Sequence, residues 1–448
     1  MKILLVAHGF PPENTAGTEV YTYNLAKALS KKHEVFVFYR EADFSKKEYT
    51  ISRREEKGLK LFSINNTFRD YVSFESTYKD ERLAREFGRI LNEIKPDVVH
   101  VQHLLYLSVK MIEEAKKHGI PVVFTANDYW LLCPQGQLFK GNQTVCEGAA
   151  ESSGCASCVL YQLSIRKNIA YFYAKIRKFT PSWFFQAVKN LYLLYAKTFF
   201  LRGKRVQESI LERIRFMKEL CSKIDFFIAP SEFIRQRFIA FGVPEAKIKV
   251  SSYGFDTRRI TALPKTPSKL FRFGFIGNLM LAKGVHVLIK SFREIAEGRA
   301  ELRIYGNAFS CKSSLGNYMG RLRDEARGKH NIHFLGGFVN ADIDHIFQEI
   351  DVLVVPSIWY ENAPLVIQEA FLSRTPVIAS RIGGIPELLK DGENGLLFGA
   401  GDPRDLKEKM EYVMNCPEVL NKLRESVPAV KSLEENTAEM VKIYQQFS

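Results

Sequence analysis

Short, wholly apolar runs appear in series along this chain, stop, and then start again. The first series is "KILLVA", "EVFVFY", "DVVHVQ", "PVVFTAND" and "DFFIAPS", separated by helical patterns such as "EVYTYNLAKALSKK". The second begins near residue 271 with "FRFGFIGN". It continues through a helix over 284–297, "ELRIYG", "IHFLGG", a helix near 341–349, "VLVVPS", a helix near 364–373 and "PVIAS". A strand apolar on both faces must be covered on both faces, and helices between successive strands make the sheet parallel. The expectation is α/β, with two doubly wound domains over 1–250 and 251–430 and a terminal helix in 431–448. A length of 448 residues accommodates two or three domains.

Open α/β sheets bind ligands beyond the carboxyl ends of their strands. Those ends carry His8-Gly9, Asn127-Asp128, Pro230-Ser231, Gly277-Asn278, Gly306, Gly336-Gly337, Pro356-Ser357 and Gly383-Gly384. After "VLVVPS" comes "IWYENA" and then the helix "PLVIQEAFLSR". Pro364 suits the first helical turn, where its missing N–H costs nothing. The free N–H groups there suit an anion such as a diphosphate. Glu361 stands just outside this helix and Glu369 inside it. A capping and a solvated glutamate would explain the pair; so would carboxylates that hold sugar hydroxyls.

The run "PSIWYENAPLVIQEA", "PVIASRIGGIPELLKDGENGLLF" and "GDPRDL", together with "GFPPENTAGTEVYTYNLAKAL", resembles glycosyltransferase family 4. That family comprises retaining, nucleotide-sugar-dependent enzymes of the GT-B fold, in which two Rossmann-like domains face a central cleft. The resemblance implies that Glu361 holds the donor sugar and Glu369 the ribose. It puts the diphosphate on the Ala363, Pro364 and Leu365 backbone and on Lys283, and makes Gly383-Gly384 the cleft floor. It places Gly277, Asn278 and Gly306 in the donor site, and lets the last helix cross back onto the first domain. Gly17 resembles the glycine whose loop approaches the donor, although Thr18 beside it also reads as a helix N-cap. Two positions depart from the family: Asn278 stands where an arginine is common, and Asn127, before Asp128, where a histidine is usual. Asparagine cannot titrate near pH 7. His103 is a candidate to face the acceptor or a satisfied structural histidine.

The implied reaction moves a sugar from a UDP- or GDP-sugar to a glycan or lipid-linked acceptor, in cell-surface polysaccharide or glycoprotein assembly, with no cofactor required for the chemistry. Rival readings are a nucleotide-sugar epimerase and an inactive binding subunit of a membrane glycan assembly.

Two further features lie outside that pattern. In the loop 133–158, Cys133, Cys146, Cys155 and Cys158 have a spacing that suits a structural zinc, with free thiols or a redox pair as alternatives. The net charge of +14 is concentrated in an insert of about 160–220, and 161–205 holds ten Lys/Arg and no Asp or Glu among many aromatics. Basic and aromatic side chains together suit an anionic membrane surface, and no nucleic-acid-reading motif accompanies them. The five-residue apolar core of "MKILLVAHGF" is short for a signal peptide, and no run of 18 apolar residues occurs. A cytoplasmic protein, peripherally bound to the membrane, is expected.

Overall fold

The computed structural model describes residues 1–70, 73–140, 143–148, 155, 158, 204–307 and 318–447. Two sheets form. The first runs in the order β3 (Ile51–Glu56), β4 (Leu59–Asn65), β2 (Glu34–Glu41), β1 (Lys2–Ala7), β5 (Val98–Val101), β6 (Val122–Thr125), β7 (Phe226–Ala229), β8 (Ile248–Val250). All its pairs are parallel except β3 with β4. The second, wholly parallel, runs β11 (Ile332–Gly336), β10 (Ala300–Tyr305), β9 (Phe271–Ile276), β12 (Val352–Val355), β13 (Val377–Ser380), β14 (Leu396–Phe398).

The central strands are those legible as apolar runs. Every residue of β1 but Lys2 is buried, as are all four of β12 and of β13. The charged "ISRREE" of β3 gave no strand signal, because an antiparallel edge strand needs no apolar faces. In both sheets the strand order reverses beside the first strand, at β1/β5 and at β9/β12. Those reversals open the crevices in which such sheets bind ligands.

Helices cover both faces of both sheets. In the first half these include α1 (Gly17–Leu29), α2 (Glu81–Ile94), α3 (Lys110–Lys117), α4 (Lys204–Lys223) and α5 (Glu232–Phe241). Asp80 starts α2 by accepting from the N–H groups of Arg82 and Leu83, both at 3.0 Å. The end of the basic stretch is α4, which sinks Ile210, Met217, Leu220 and Cys221 into the first core. The rest of the insert, 161–203, lies outside the described residues.

The second half has α6 (Val285–Phe292), α7 (Tyr318–Glu325), α8 (Ile343–Gln348), α9 (Leu365–Leu372), α10 (Ile385–Leu388), α11 (Pro403–Asn415), α12 (Pro417–Glu425) and α13 (Leu433–Tyr444). The last of these packs on α1 of the first half. Tyr21 donates to Asn436 at 3.0 Å, and Tyr444 meets His100 Nδ1 at 2.6 Å.

Candidate active site

The second half supplies a carboxylate with one oxygen engaged. Glu361, in the loop between β12 and α9, is 4% exposed. Its Oε1 accepts from Lys283 Nζ at 2.6 Å, Ser357 Oγ at 2.6 Å and Trp359 Nε1 at 2.9 Å. Its Oε2 takes no hydrogen bond among the described residues. Lys283 ends a single turn, Leu281–Lys283, and the Ile358 N–H donates to Ala282 O at 2.9 Å, so the two loops are stitched together.

Two glycines make this possible. A Cβ on Gly284 would lie 1.8 Å from Pro356 O, and one on Gly384 would lie 1.9 Å from Asn362 O. The Gly384 N–H also donates to Glu361 O at 2.8 Å, so the Gly-Gly turn supports the Glu361 backbone.

Helix starts converge on the same place. α9 begins after Pro364 and α6 after Gly284, neither with a side-chain cap. α1 begins at Gly17, behind Ala16, also without one; Thr18 lies inside the helix and does not cap it. A Cβ on Gly17 would lie 3.4 Å from Leu365 Cδ1, so α1 and α9 present their N-termini to each other across the two halves. Uncapped N–H groups and the positive ends of helix dipoles attract anions.

Glu369, on α9, lines a pocket with Tyr21, Asn24, Asp256, Arg259 and Asn340. Its carboxylate has no hydrogen bond among the described residues. Burial pushes its pKa up to about 7, against the pull of Arg259. Gly277 and Gly306 bring the ends of β9 and β10 together, since a Cβ on Gly306 would lie 1.8 Å from Gly277 O. The Asn278 side chain makes no hydrogen bond among the described residues. Beyond β10 and β11 opens a cavity of about 720 Å³ lined by Tyr305, Asn307, Gly337, Phe338 and Val339.

The first half faces this with two histidine–carboxylate pairs. His103 accepts from the Leu105 N–H at Nδ1 (2.9 Å) and meets Asp128 Oδ2 through Nε2 at 2.6 Å. Both ring nitrogens are therefore engaged within the protein. His8 packs on it with ring centroids 4.0 Å apart, and its Nε2 lies 3.0 Å from the buried Glu19. Burial and the neighbouring His103 lower the His8 pKa, which keeps the ring neutral. Sequence reading missed Glu19, whose only signal is a carboxylate in the first turn after the glycine loop.

Asn127 is spent on the fold. It donates to Gln102 O at 2.8 Å and accepts from Tyr253 OH at 2.8 Å. Asn362, also missed, joins the halves: it donates to Ala126 O at 2.9 Å and accepts from Ser231 Oγ at 2.7 Å. His100 is structural, with Tyr444 and Thr125 on its two nitrogens and a pKa lowered by burial to about 3.

Cys133, Cys146, Cys155 and Cys158 are free thiols. Among the described residues no three His, Cys, Asp or Glu side chains are arranged to hold a metal ion. Cys146 points its thiol at Gly148 O, 3.6 Å away, and burial pushes the Cys155 thiol up to about 11. Cys133, Cys146 and Cys158 also push the Cys155 thiol up, so the four cysteines lie near one another. No helix among the described residues is long and apolar enough to cross a membrane.

Two family descriptions match the chain. "Glycosyltransferase Family 4" matches residues 15–149, and "Glycosyl transferases group 1" matches 257–429. A Klebsiella pneumoniae protein described as an uncharacterized 42.6 kDa protein in the cps region is 24% identical over 403 residues, 87% of each chain. The D-inositol 3-phosphate glycosyltransferase of Corynebacterium aurimucosum is 32% identical over 145 residues, 32% of this chain and 34% of that enzyme. The chain thus spans about a third of that named enzyme.

Among solved structures, Anabaena HepE in complex with UDP and glucose aligns with a TM-score of 0.67 at 16% identity over 99% of both chains. The sucrose-phosphate synthase of Thermosynechococcus elongatus aligns with the same TM-score at 17% identity, over 99% of this chain and 98% of that one. At such identities the likeness is one of fold. With the two descriptions falling in order on the two halves, and the fold shared from end to end, the chain is a GT-B glycosyltransferase of the family 4, group 1 type.

Proposed function

We propose that this glycosyltransferase is retaining and moves a sugar from a uridine or guanosine diphosphate sugar to a glycan or lipid-linked acceptor in cell-surface polysaccharide or glycoprotein assembly. The observation that carries the reading is Glu361, buried with three donors on Oε1 and none on Oε2. A carboxylate held in this way offers a fixed acceptor to sugar hydroxyls. The uncapped starts of α6 and α9, with Lys283, suit the diphosphate. Glu369 suits the ribose diol, and the cavity beyond β10 and β11 suits the base. HepE supports the donor class, having been solved with UDP and with UDP-glucose.

In the reaction the anomeric C–O bond to the diphosphate breaks. The acceptor oxygen bonds on the same face, and its proton passes to the departing diphosphate oxygen. This route needs no free protein base on the acceptor side, which agrees with His103 and Asn127 being engaged within the protein. Contacts across the cleft, such as Asn362 with Ala126, support closure that excludes water. A nucleotide-binding subunit without turnover is the second reading; Asn278, which leaves the phosphate site one cation short of the family pattern, favours it. Contact of 161–205 with an anionic membrane belongs to the proposal on its sequence alone.

Thermal unfolding with UDP, GDP, ADP and their sugars tests the reading. Ligand at about 100 times its Kd adds about 2.7 kcal/mol of stability. A shift with one nucleotide, weakened by Glu369→Ala, supports it, and release of that nucleotide from its sugar separates the enzyme from a binding subunit. No shift with any nucleotide at millimolar concentration overturns the donor assignment.

A further inference from the structure

The cysteine-rich loop of the first half reaches the donor loop of the second. Cys146 N donates to Leu138 O at 2.7 Å, and Lys140 N to Thr144 O at 2.8 Å, which draws 138–140 and 143–146 into a hairpin. Phe139 from this hairpin is buried with Leu281 and Ala282, just ahead of Lys283, and Val145, Ile358 and Trp359 pack around them. One residue past the hairpin, Glu147 accepts from the Tyr360 hydroxyl and pairs with Arg237 Nη1 at 2.7 Å. Arg237 also donates to Glu147 O at 3.0 Å, and its guanidinium lies 5.0 Å from the rings of Phe233 and Tyr360. The Tyr360 and Arg237 hydrogen bonds hold the Glu147 carboxyl below its usual range, so it is ionised at neutral pH.

These contacts bracket Glu361. Trp359 packs on the cluster formed by Phe139, Leu281 and Ala282 and donates to Glu361 Oε1. Tyr360, next in sequence, is held by Glu147. We propose that Glu147 is a positioning residue: by holding Tyr360 while Trp359 packs on the cluster that Phe139 forms with Leu281 and Ala282, it fixes the backbone that keeps Glu361 on Lys283. The proposal rests on the reading of Glu361 as the donor-sugar carboxylate. Such a carboxylate has to sit within about 0.5 Å of its working position, and neither sheet fixes a loop of this length unaided. The first half would thereby set the donor geometry of the second.

The test compares wild type with Glu147→Ala, Glu147→Gln, Tyr360→Phe and the double variant Glu147→Ala/Tyr360→Phe. Hydrogen exchange is read over 357–362 in the ligand-free protein, and kcat and KM are read with UDP-glucose. Glu147→Ala is expected to raise exchange over 357–362 at least tenfold while leaving 98–101 and 122–125 unchanged. It should lower kcat by up to about 100-fold, the cost of a misplacement near 1 Å, with KM within threefold. Glu147→Gln keeps an acceptor for Tyr360 and should recover most of both. Tyr360→Phe should match Glu147→Ala, and the double variant should be no worse than either. Wild-type exchange over 357–362 in Glu147→Ala and in Tyr360→Phe overturns the proposal, as do additive losses in the double variant. If wild type neither binds nor consumes UDP-glucose, this donor is wrong, and the exchange comparison still decides the role of Glu147.

Discussion

Lys283 Nζ lies 2.6 Å from Glu361 Oε1, joining two loops whose residues are 78 apart in sequence. Lys283 directly precedes Gly284, the uncapped start of α6, so the carboxylate competes with a diphosphate for this ammonium. Glu361→Gln removes that competition and also weakens the acceptor for the sugar. UDP should bind this variant as tightly as wild type, or more tightly. Its kcat/KM for a consumed nucleotide sugar should fall about 10- to 150-fold, the worth of one hydrogen bond to a charged group. Calorimetry with UDP alongside steady-state rates checks both halves, and parallel losses of affinity and rate would contradict the account.

Glu369 carries a pH dependence. Its pKa is raised by burial from 4.5 to about 7, and only the ionised form accepts from both ribose hydroxyls. UDP affinity should therefore rise with pH through about 7 and be about tenfold weaker at pH 6 than at pH 8. Glu369→Gln should flatten that profile. The folded state holds this proton more tightly than the unfolded chain does. Its contribution to stability is thus fully present below pH 4.5 and is lost as pH rises through about 7. Urea melts of the ligand-free protein at pH 5 and pH 8 read that part separately.

Gly384→Ala places a methyl 1.9 Å from Asn362 O and 2.9 Å from Ser231 Oγ, at the join between the halves. Forced overpacking of this kind costs about 1–3 kcal/mol. Because the Glu361 carbonyl rests on Gly384 N–H, turnover should collapse as well. Gly392→Ala is the control: its Cβ meets nothing within 4 Å, although φ is +73°. It should cost about 1 kcal/mol through backbone strain alone and leave turnover intact.

Tyr444→Phe removes the hydroxyl bound to His100 Nδ1 in the core of the first half. A buried ring nitrogen left without that partner costs about 1–3 kcal/mol. The loss should show as a lower urea midpoint with an unchanged slope, and kcat should not move, because neither residue borders the cleft.

Both sheets were legible because a buried parallel strand must be apolar on both faces, and "KILLVA" or "VLVVPS" has no other way to be covered. β3 was not legible, since "ISRREE" owes its place to pairing with β4 and not to any pattern of its own, and β4, β8 and β14 were not among the expected strands either. The donor side was readable locally: Glu361, Pro364, Glu369 and Gly384 lie within 24 positions of one another on one strand–loop–helix–strand unit, where spacing alone brings them together.

Residue type and local order were thus determined by the sequence: which strands are central, and which carboxylates stand beside the helix starts; that Thr18 does not cap α1 was decided by the structure. Tertiary structure alone decided how those groups are used. Asn127 and His103 proved to be spent on Gln102, Tyr253, Leu105 and Asp128, while Glu19 met His8 and Glu147 met Tyr360 from the other half. The physical reason is that a hydrogen bond forms between whatever groups packing leaves 3 Å apart, and no spacing along one strand or helix encodes which groups of another element or loop will pack against it.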